Sequence, residues 1–331
     1  MHYEYVYKTN KFESKRHRRT KRSFKGIVFL VGLVILGYYL SGFTLQILRN
    51  KNTVTIASPL AEPVTASIDT IKGAVAPKSL LPKIVSDSLS GTTGTYAVVI
   101  KNLSTGESYQ LNETRKFDSA SLYKLWVMAT TYQIMETGKL DPEVILDRSI
   151  PELNEKFDIA SESAELTEGQ FTMSVKNALH QMITISHNYA ALALSEKIGL
   201  SNVTKFLKNN SLSNSRIGGD LPQTTASDIA LFYEKLYAGK LGSKGSTASM
   251  LELLKKQQLN DRIPKYLPEG LEVAHKTGEL GAVKHDTGIV FTPKGDYIIV
   301  LLSETNSQTA AAERQALLSK AVFEYFQNKE L

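Results

Sequence analysis

The sequence predicts an α/β protein of the α+β type, in which an antiparallel sheet is assembled from both ends of the domain and an all-helical lobe is inserted between them. Three observations support this prediction. Strand patterns cluster near residues 96–112 and 270–304, helical patterns fill the region between them, and a core-facing helix closes the chain at about 309–328. Elements in this order form a sheet flanked by helices, with an active site expected at the seam with the lobe.

The first half of the domain begins with a hairpin and continues as helices. YAVVIKN (96–102) and SYQLN (108–112) have strand composition, and the turn LSTGE joins them. Helical apolar spacing or composition then predicts five helices. They are expected at 121–137, 173–182, 187–198, 201–209 and 226–238.

The chain then returns to strands, which are predicted at 270–278, 287–291 and 296–304. In the last helix, Leu317, Ala321 and Tyr325 lie on one apolar stripe. A stripe of this kind faces a core, so the closing helix is expected to pack against the sheet.

The net charge of +6 is confined to the N-terminal tail. Residues 1–26 carry nine Lys and Arg against Glu4 and Glu13, whereas the rest of the chain carries 30 basic and 31 acidic side chains. An uncharged run follows at 27–48, and as a helix it would be about 33 Å long, enough to cross a bilayer. Because basic residues stay on the cytoplasmic side, we predict a cytoplasmic tail, one transmembrane helix in the cell membrane and an exported domain.

Two other interpretations of this region are less favoured. A cleaved signal peptide has a shorter apolar run and a cleavage site of small residues, and no such site follows residue 48 directly. A basic tail can bind nucleic acid, but beside an apolar run it is better explained as a topology determinant. We therefore predict a membrane partner and no nucleic-acid partner.

The remainder of the chain divides into a linker and one domain. Residues 49–80 contain scattered prolines and no sustained period, which is typical of a tether, and residues 81–331 show neither a repeat nor a second linker. The chain has no cysteine, which excludes disulfides and cysteine nucleophiles. Its six histidines lack metal-ligand spacing, so no metal or other cofactor is predicted.

The candidate nucleophile lies in FDSASLYKLW, where Ser121 and Lys124 are three positions apart. Helix geometry puts them one turn apart, and the apolar residues around Lys124 predict that it is buried. Burial favours the neutral amine, which can take the proton that a serine nucleophile must lose. Backbone N–H groups at the helix start could hold an oxyanion. Alone the pattern is weak, because SxxK also occurs by chance.

Two further motifs make the pattern more specific than the Ser121–Lys124 pair alone. SHN, Ser186 to Asn188, precedes a helix, and KTG, Lys276 to Gly278, lies in a predicted strand. With SxxK, SxN and KTG in this order, residues 81–331 resemble the class A β-lactamases and related penicillin-recognising serine enzymes. The resemblance implies a β-lactamase/transpeptidase-like fold and a serine hydrolase that needs no cofactor. It also implies β-lactams or peptidoglycan peptides as substrates.

The resemblance implies a catalytic role for three residues. Ser121 would be acylated, Lys124 would be its general base or proton relay, and Ser186 would pass the proton to the leaving nitrogen. Asn188 would bind both Lys124 and the amide side chain of the substrate. His187 stands where the family often has aspartate.

Substrate binding is implied for the KTG strand, at Lys276, Thr277, Gly278 and Glu279. The first two would hold the substrate carboxylate, and the backbone N–H of Glu279 would be the second oxyanion donor. Lys284 and His285 follow in VKHD. They either add positive charge for a substrate carboxylate or belong to an ordinary loop before the next strand.

One departure from the family bears on turnover. Class A β-lactamases carry a glutamate after the SxN helix, in a pattern like EPELN, which activates the water that removes the acyl group. Here PELN, at 151–154, precedes SHN, and the stretch in place of the family loop, 211–225, is short and has Asp220 as its only carboxylate. Asp220 in a Gly-rich loop is better explained as a turn residue. Loss of a general base costs about 10²- to 10⁴-fold, so slow deacylation is predicted.

Three functions remain compatible with these residues. The first is a membrane-anchored serine hydrolase of the class A β-lactamase type. The second is a D,D-peptidase, or penicillin-binding protein, that acts on D-Ala-D-Ala ends of peptidoglycan, for which no loop glutamate is expected. The third is a penicillin sensor without turnover, although residues 1–26 are too few for a folded signalling domain.

Overall fold

The computed structural model describes residues 79–219 and 221–328. The predicted tail 1–26, the predicted transmembrane helix 27–48, most of the predicted linker and Asp220 lie outside these residues. Within the two described ranges, no helix is both long and apolar enough to cross a bilayer. In the same ranges, no group of His, Asp and Glu side chains could hold a metal ion.

A five-stranded antiparallel sheet forms the centre of the domain, with strands β1 Thr95–Asn102, β2 Ser108–Leu111, β7 Val273–Leu280, β8 Val283–Val290 and β9 Tyr297–Glu304. Their order across the sheet is β2-β1-β9-β8-β7. Strand β9 pairs with β1, where Tyr96 is opposite Ser303, and with β8, where Asp286 is opposite Leu301. The prediction of one sheet built from both ends of the domain is therefore confirmed, and β7, which carries KTG, lies at its edge.

Both faces of the sheet are buried. Val98 and Ile100 of β1 join one apolar cluster with the first and last described helices, α1 Leu81–Leu89 and α9 Gln308–Asn328. Ala97, one position earlier in the strand, belongs to the larger cluster on the opposite face. Because strand side chains alternate between faces, a strand buried on both sides is apolar nearly throughout, as YIIVLLSE in β9 is.

The inserted lobe is mostly helical. Its helices are a 3₁₀ helix Ala120–Leu122, α2 Tyr123–Glu136, α3 Ile150–Lys156, α4 Val175–Thr184, α5 Asn188–Ile198, α6 Leu200–Asn209, α7 Ala226–Tyr237 and α8 Lys244–Lys255. It also contains a hairpin of β4 Ile145–Ser149 and β5 Gln170–Ser174. A two-residue pair, β3 Phe117–Asp118 and β6 Gln223–Thr224, completes the elements. The sequence predicted an all-helical lobe, whereas the lobe in the structure also contains these short strands.

Several predicted boundaries differ from the structure by one to four residues. The helix expected from residue 173 begins at Val175, because the Ser174 hydroxyl caps it by accepting from the backbone N–H of Asn177 at 3.3 Å. The strand expected at 287–291 begins at Val283. Lys284 and His285 therefore lie inside a buried strand, and the loop interpretation of VKHD is wrong.

Candidate active site

The segment that carries Ser121 is held in a strained turn. Ala120, just before it, has a positive φ of 44°, which is uncommon for a residue with a side chain. Ser119 fixes the turn, because its backbone N–H donates to the carbonyl of Pro222 at 2.8 Å. Such strain persists only where the surroundings impose it, and it is concentrated at functional sites. Ser121 is half-buried at this turn, directly before α2.

Lys124 is 0% exposed on α2, as the apolar sequence around it predicts. Its Nζ lies 2.5 Å from the carbonyl oxygen of Ser186, 3.1 Å from the Ser186 hydroxyl and 2.8 Å from Oδ1 of Asn188. Burial, and next the charge of Lys276, lower the pKa of Lys124 well below its usual value, while Glu165 opposes the shift. The two N–H groups of a neutral amine can donate to the Ser186 carbonyl oxygen and to Oδ1 of Asn188, which can only accept. Its lone pair can then take a proton from a hydroxyl group.

Ser186 lies between two amines. Its hydroxyl is 3.1 Å from Nζ of Lys124 and 3.0 Å from Nζ of Lys276. Its backbone has a positive φ of 60°, the second such turn at the site. Among the described residues, no hydrogen bond joins the Ser121 hydroxyl to Lys124. The contact that the sequence suggested between those two is thus replaced by a link from Lys124 to Ser186.

The middle position of SHN can be a histidine because the ring of His187 caps the helix that follows. Its Nδ1 accepts from the backbone N–H of Ala190 at 3.2 Å and so caps helix α5, which is what an aspartate would also do at a helix start. Accepting through Nδ1 requires a neutral ring. Burial, the largest effect, lowers the pKa of His187 and favours that form.

The KTG strand β7 packs against the segment that carries Ser121. A side chain at Gly278 would place Cβ 3.1 Å from the Ser119 carbonyl oxygen and 3.3 Å from Leu122, so glycine permits the close approach. Lys276 is 0% exposed, and its Nζ lies 3.0 Å from the Ser186 hydroxyl. Burial lowers the pKa of Lys276 to about 7, with Asp286 opposing the shift. Thr277 is also buried in this strand.

His285, on β8, serves the structure of the site. Its Nε2 lies 2.9 Å from the backbone carbonyl oxygen of Asp118, three residues before Ser121. Burial lowers the pKa of His285 to about 4, so the ring is neutral at neutral pH and donates to that carbonyl. It therefore adds no positive charge for a substrate carboxylate, which was one of the two roles considered for it.

Two charged residues of the site were missed from the sequence, because neither belongs to a motif. Glu165 accepts from Nδ2 of Asn188 at 3.0 Å. Arg262 is buried behind β7 and forms an ion pair with the carboxylate of Glu279, which also pairs with Lys284. Nothing in a single sequence indicates that these distant positions meet the KTG strand.

A cavity of about 330 Å³ opens beside Ser121. Its polar lining includes Ser121, Asn188, Glu165 and Glu279. The rest of the lining is largely apolar, with side chains such as Tyr123, Phe157, Leu192 and Ile217. A concave, mostly apolar cavity with a few convergent polar groups is the usual form of a small-molecule site.

Comparison with known proteins fits this geometry. The model of the β-lactamase enzyme family matches residues 80–326. The chain belongs to this family. β-Lactamase CARB-4 of Pseudomonas aeruginosa is 23% identical over 267 residues, which cover 75% of this chain and 89% of CARB-4.

Solved structures of similar proteins share the fold. The crystal structure of a β-lactamase from Sphaerobacter thermophilus has 23% identity and a TM-score of 0.66, and the match covers 76% of this chain and 98% of that one. The structure of PBP-A has 23% identity and a TM-score of 0.67, and the match covers 75% of this chain and 96% of PBP-A. The predicted class A β-lactamase family and the predicted fold are confirmed.

Within this β-lactamase-family site, the stretch 211–225 forms one wall of the cavity. Its contributions are Ile217, Gly218, Gly219, Leu221 and Pro222, none of which is acidic. Asp220 is not among the described residues. The part of this wall that the structure describes therefore offers no carboxylate to activate a water.

The PELN sequence has a structural role instead. It lies in α3, where Asn154 is buried, donates to the Leu166 carbonyl at 2.8 Å and accepts from the Tyr189 hydroxyl at 3.0 Å. Asn154 thus anchors the loop that carries Glu165. Glu152 is exposed and is not among the described residues that line the cavity beside Ser121. The interpretation that PELN is not the catalytic loop of the family fits this placement.

Proposed function

We propose that β-lactams acylate Ser121 and that the acyl group is then released slowly. The observation that carries the first part is the buried amine of Lys124, bound to Ser186 and Asn188 with its pKa lowered by burial. A serine nucleophile needs a neighbouring base, and a neutral lysine is one. Ser121 of SxxK and Asn188 of SHN line the same cavity, and Lys276 of KTG lies 3.0 Å from the Ser186 hydroxyl.

Acylation moves one proton in two steps. The Ser121 oxygen forms a bond to the lactam carbonyl carbon, and Lys124 takes the serine proton. As the C–N bond of the lactam breaks, Ser186 donates its proton to the leaving nitrogen and regains one from Lys124, whose Nζ is 3.1 Å away. The backbone N–H groups of Ser121 and Glu279 would hold the oxyanion while this occurs.

Slow deacylation is supported by the carboxylates around the cavity. Glu279 forms ion pairs with Arg262 and Lys284, and an ion-paired carboxylate is a weak base. Glu165 is held by Asn188. Because Glu165 and Glu279, the described carboxylates that line the cavity, are both bound to other side chains, we expect deacylation to be about 10²- to 10⁴-fold slower than with a free general base.

Intact-mass spectrometry of the full-length protein tests both steps. We expect brief exposure to benzylpenicillin to add the mass of one ligand, and the adduct to persist after the free ligand is removed. Ser121→Ala should remain unlabelled, whereas Ser163→Ala, at another serine that lines the cavity, should be labelled normally. An absent adduct would refute acylation, and rapid return to the starting mass with release of product would refute slow turnover.

We also propose that residues 27–48 anchor the protein in the cell membrane and that the domain lies outside the cytoplasm. The support is the uncharged run beside a basic tail. Because the chain has no cysteine, single cysteines can report topology. Ser104→Cys, in the exposed turn after β1, should react with an impermeant maleimide in intact cells, and Ser14→Cys only after permeabilisation. The opposite pattern would overturn the proposal.

A second candidate is D,D-peptidase activity on peptidoglycan ends. It is favoured by the described part of the 211–225 wall, which presents apolar side chains and glycines instead of a carboxylate. Release of D-alanine from a pentapeptide ending in D-Ala-D-Ala, lost in Ser121→Ala, would establish this activity. A stoichiometric penicillin adduct from which no hydrolysed penicillin is released over hours, without any D-alanine release, would instead indicate a sensor.

A further inference from the structure

The carboxylate of Glu279 forms ion pairs with two cationic side chains at the edge of the cavity. Its side chain is 45% exposed and lines the cavity, and its carboxylate pairs with Arg262 and Lys284. Lys284 lies directly across from Glu279 in the β7–β8 pairing, whereas Arg262 comes from the segment before β7. One carboxylate thus holds a cation from each of two separate segments.

The surrounding acids leave little free positive charge. Asp261 lies 3.5 Å from Nζ of Lys284 and 3.5 Å from Nε of Arg262. Two acids, Glu279 and Asp261, therefore balance the two cations. Lys276 is the remaining amine where the KTG strand is expected to bind a substrate carboxylate. It already donates hydrogen bonds to the Ser186 hydroxyl and the Thr277 carbonyl, each at 3.0 Å.

We infer that Glu279 is a specificity-determining residue that opposes substrates carrying a carboxylate next to the KTG strand and favours neutral or cationic groups there. The inference rests on the proposed function, because it places the substrate carboxylate at Lys276 and Thr277. Residues two apart on a strand share a face, so Glu279 lies on the same face of β7 as Thr277, and a carboxylate bound at Thr277 would meet a like charge unless Glu279 left its cations. A neutral group meets neither obstacle.

Glu279→Gln removes this charge while keeping the length of the side chain and its ability to accept hydrogen bonds. We expect acylation by benzylpenicillin to become faster by on the order of tenfold, the effect of one like charge roughly 10 Å away at an effective dielectric constant of about 20. The methyl ester of benzylpenicillin lacks the carboxylate charge, so its acylation rate reports every other effect of the substitution on the site. The acid-to-ester rate ratio is therefore the measured quantity.

A matched control and a binding measurement complete the test. Glu313→Gln also removes a carboxylate that pairs with a lysine, Lys265, but on the outer helix α9, and it should leave the ratio unchanged. The affinity of both ligands is measured in Ser121→Ala and in Ser121→Ala combined with Glu279→Gln, where no acylation occurs.

The outcomes separate the two proposals. A higher acid-to-ester ratio in both measurements supports the role of Glu279. An unchanged or lower ratio overturns that role, even if Ser121 is acylated normally. If Ser121 is not acylated but the double variant binds the acid more tightly relative to the ester, the acylation proposal fails and the role of Glu279 stands.

Discussion

Replacement of Lys276 by methionine should change how the stability of the protein depends on pH. Burial lowers the pKa of the folded Lys276 to about 7, from 10.5 for an unperturbed lysine. At a pH between about 7 and 10.5, Lys276 is protonated in the unfolded chain and neutral in the folded chain. Because the unfolded state binds more protons, the stability of the wild type rises with pH in this window, and it is lowest, with respect to this group, at and below pH 7. Methionine carries no proton and removes this dependence.

The size of the effect follows from the shift. Each pH unit in the window is worth about 1.4 kcal/mol, and the slope is half-developed at the folded pKa, so the gain from pH 7 to pH 9 is about 2 kcal/mol. Lys276→Met also loses hydrogen bonds to Ser186 and Thr277, which shifts its stability by a constant amount. The prediction therefore concerns the difference between pH values: relative to the variant, the wild type gains about 2 kcal/mol from pH 7 to pH 9.

Urea unfolding at pH 7, 8 and 9 measures this difference. Trp126 is the one tryptophan of the chain and is buried on α2, so its fluorescence reports on the domain core. Lys265→Met is the control, because the hydrogen bond to Glu313 raises the pKa of Lys265 and keeps it charged over this range. If wild type and Lys276→Met keep a constant difference from pH 7 to pH 9, Lys276 does not titrate there and the reasoning about its burial is wrong.

Three further substitutions have defined outcomes. Gly278→Ala should slow acylation on the order of tenfold with little change in melting temperature, because its Cβ would displace the Ser121 segment by a fraction of an ångström; intact-mass kinetics within twofold of wild type would contradict this. Glu165→Gln should shift the acid limb of the acylation pH profile to lower pH, because the charge of Glu165 raises the pKa of Lys124; a shift to higher pH would refute it. Asn154→Ala should lower the free energy of unfolding by about 1–3 kcal/mol, since it removes two hydrogen bonds that contribute about 0.5–1.5 kcal/mol each, and unchanged urea unfolding would count against that role.

The main sheet could be predicted because its strands are apolar on both faces. β9 reads as a nearly continuous apolar run, and β1 does so over most of its length. The first half of β8 could not be predicted in this way, because Lys284, His285 and Asp286 interrupt the apolar pattern. Each of these polar residues is buried with partners from other segments, as Asp286 is with His275 at 2.8 Å. A polar sequence can form a buried strand when such partners exist, and those contacts are not visible in the local sequence.

The hairpin β4–β5 was missed for a different reason. Leu146 and Phe171 are its most buried apolar side chains, and the two strands are separated by α3 and the loop that carries Glu165. Short strands far apart in sequence have weak patterns of their own. Their pairing depends on tertiary contact, which propensity does not report.

The active site was predictable to the extent that its residues belong to local motifs. Ser186 and Lys276 lie within hydrogen-bond distance of each other, because SHN and KTG each place a side chain next to the Ser121 segment. Glu165 and Arg262 lie in segments without a motif, and only the fold brings them to Asn188 and Glu279. The ion pairs of Glu279 also change its expected role, from a backbone donor alone to a residue whose side chain bears on substrate charge.

The stretch 211–225 shows why acylation and deacylation can be separated in this chain. The carbonyl of Pro222 accepts from the N–H of Ser119, and β6 at the end of the stretch pairs with β3, just before Ser121. Together with the bond from His285 to the Asp118 carbonyl, these contacts impose the strained turn at Ala120. The stretch therefore positions the nucleophile whether or not it supplies a carboxylate for water. The contacts that position Ser121 are separate from any base that would activate water for deacylation, so the proposed loss of that base would leave the first step intact.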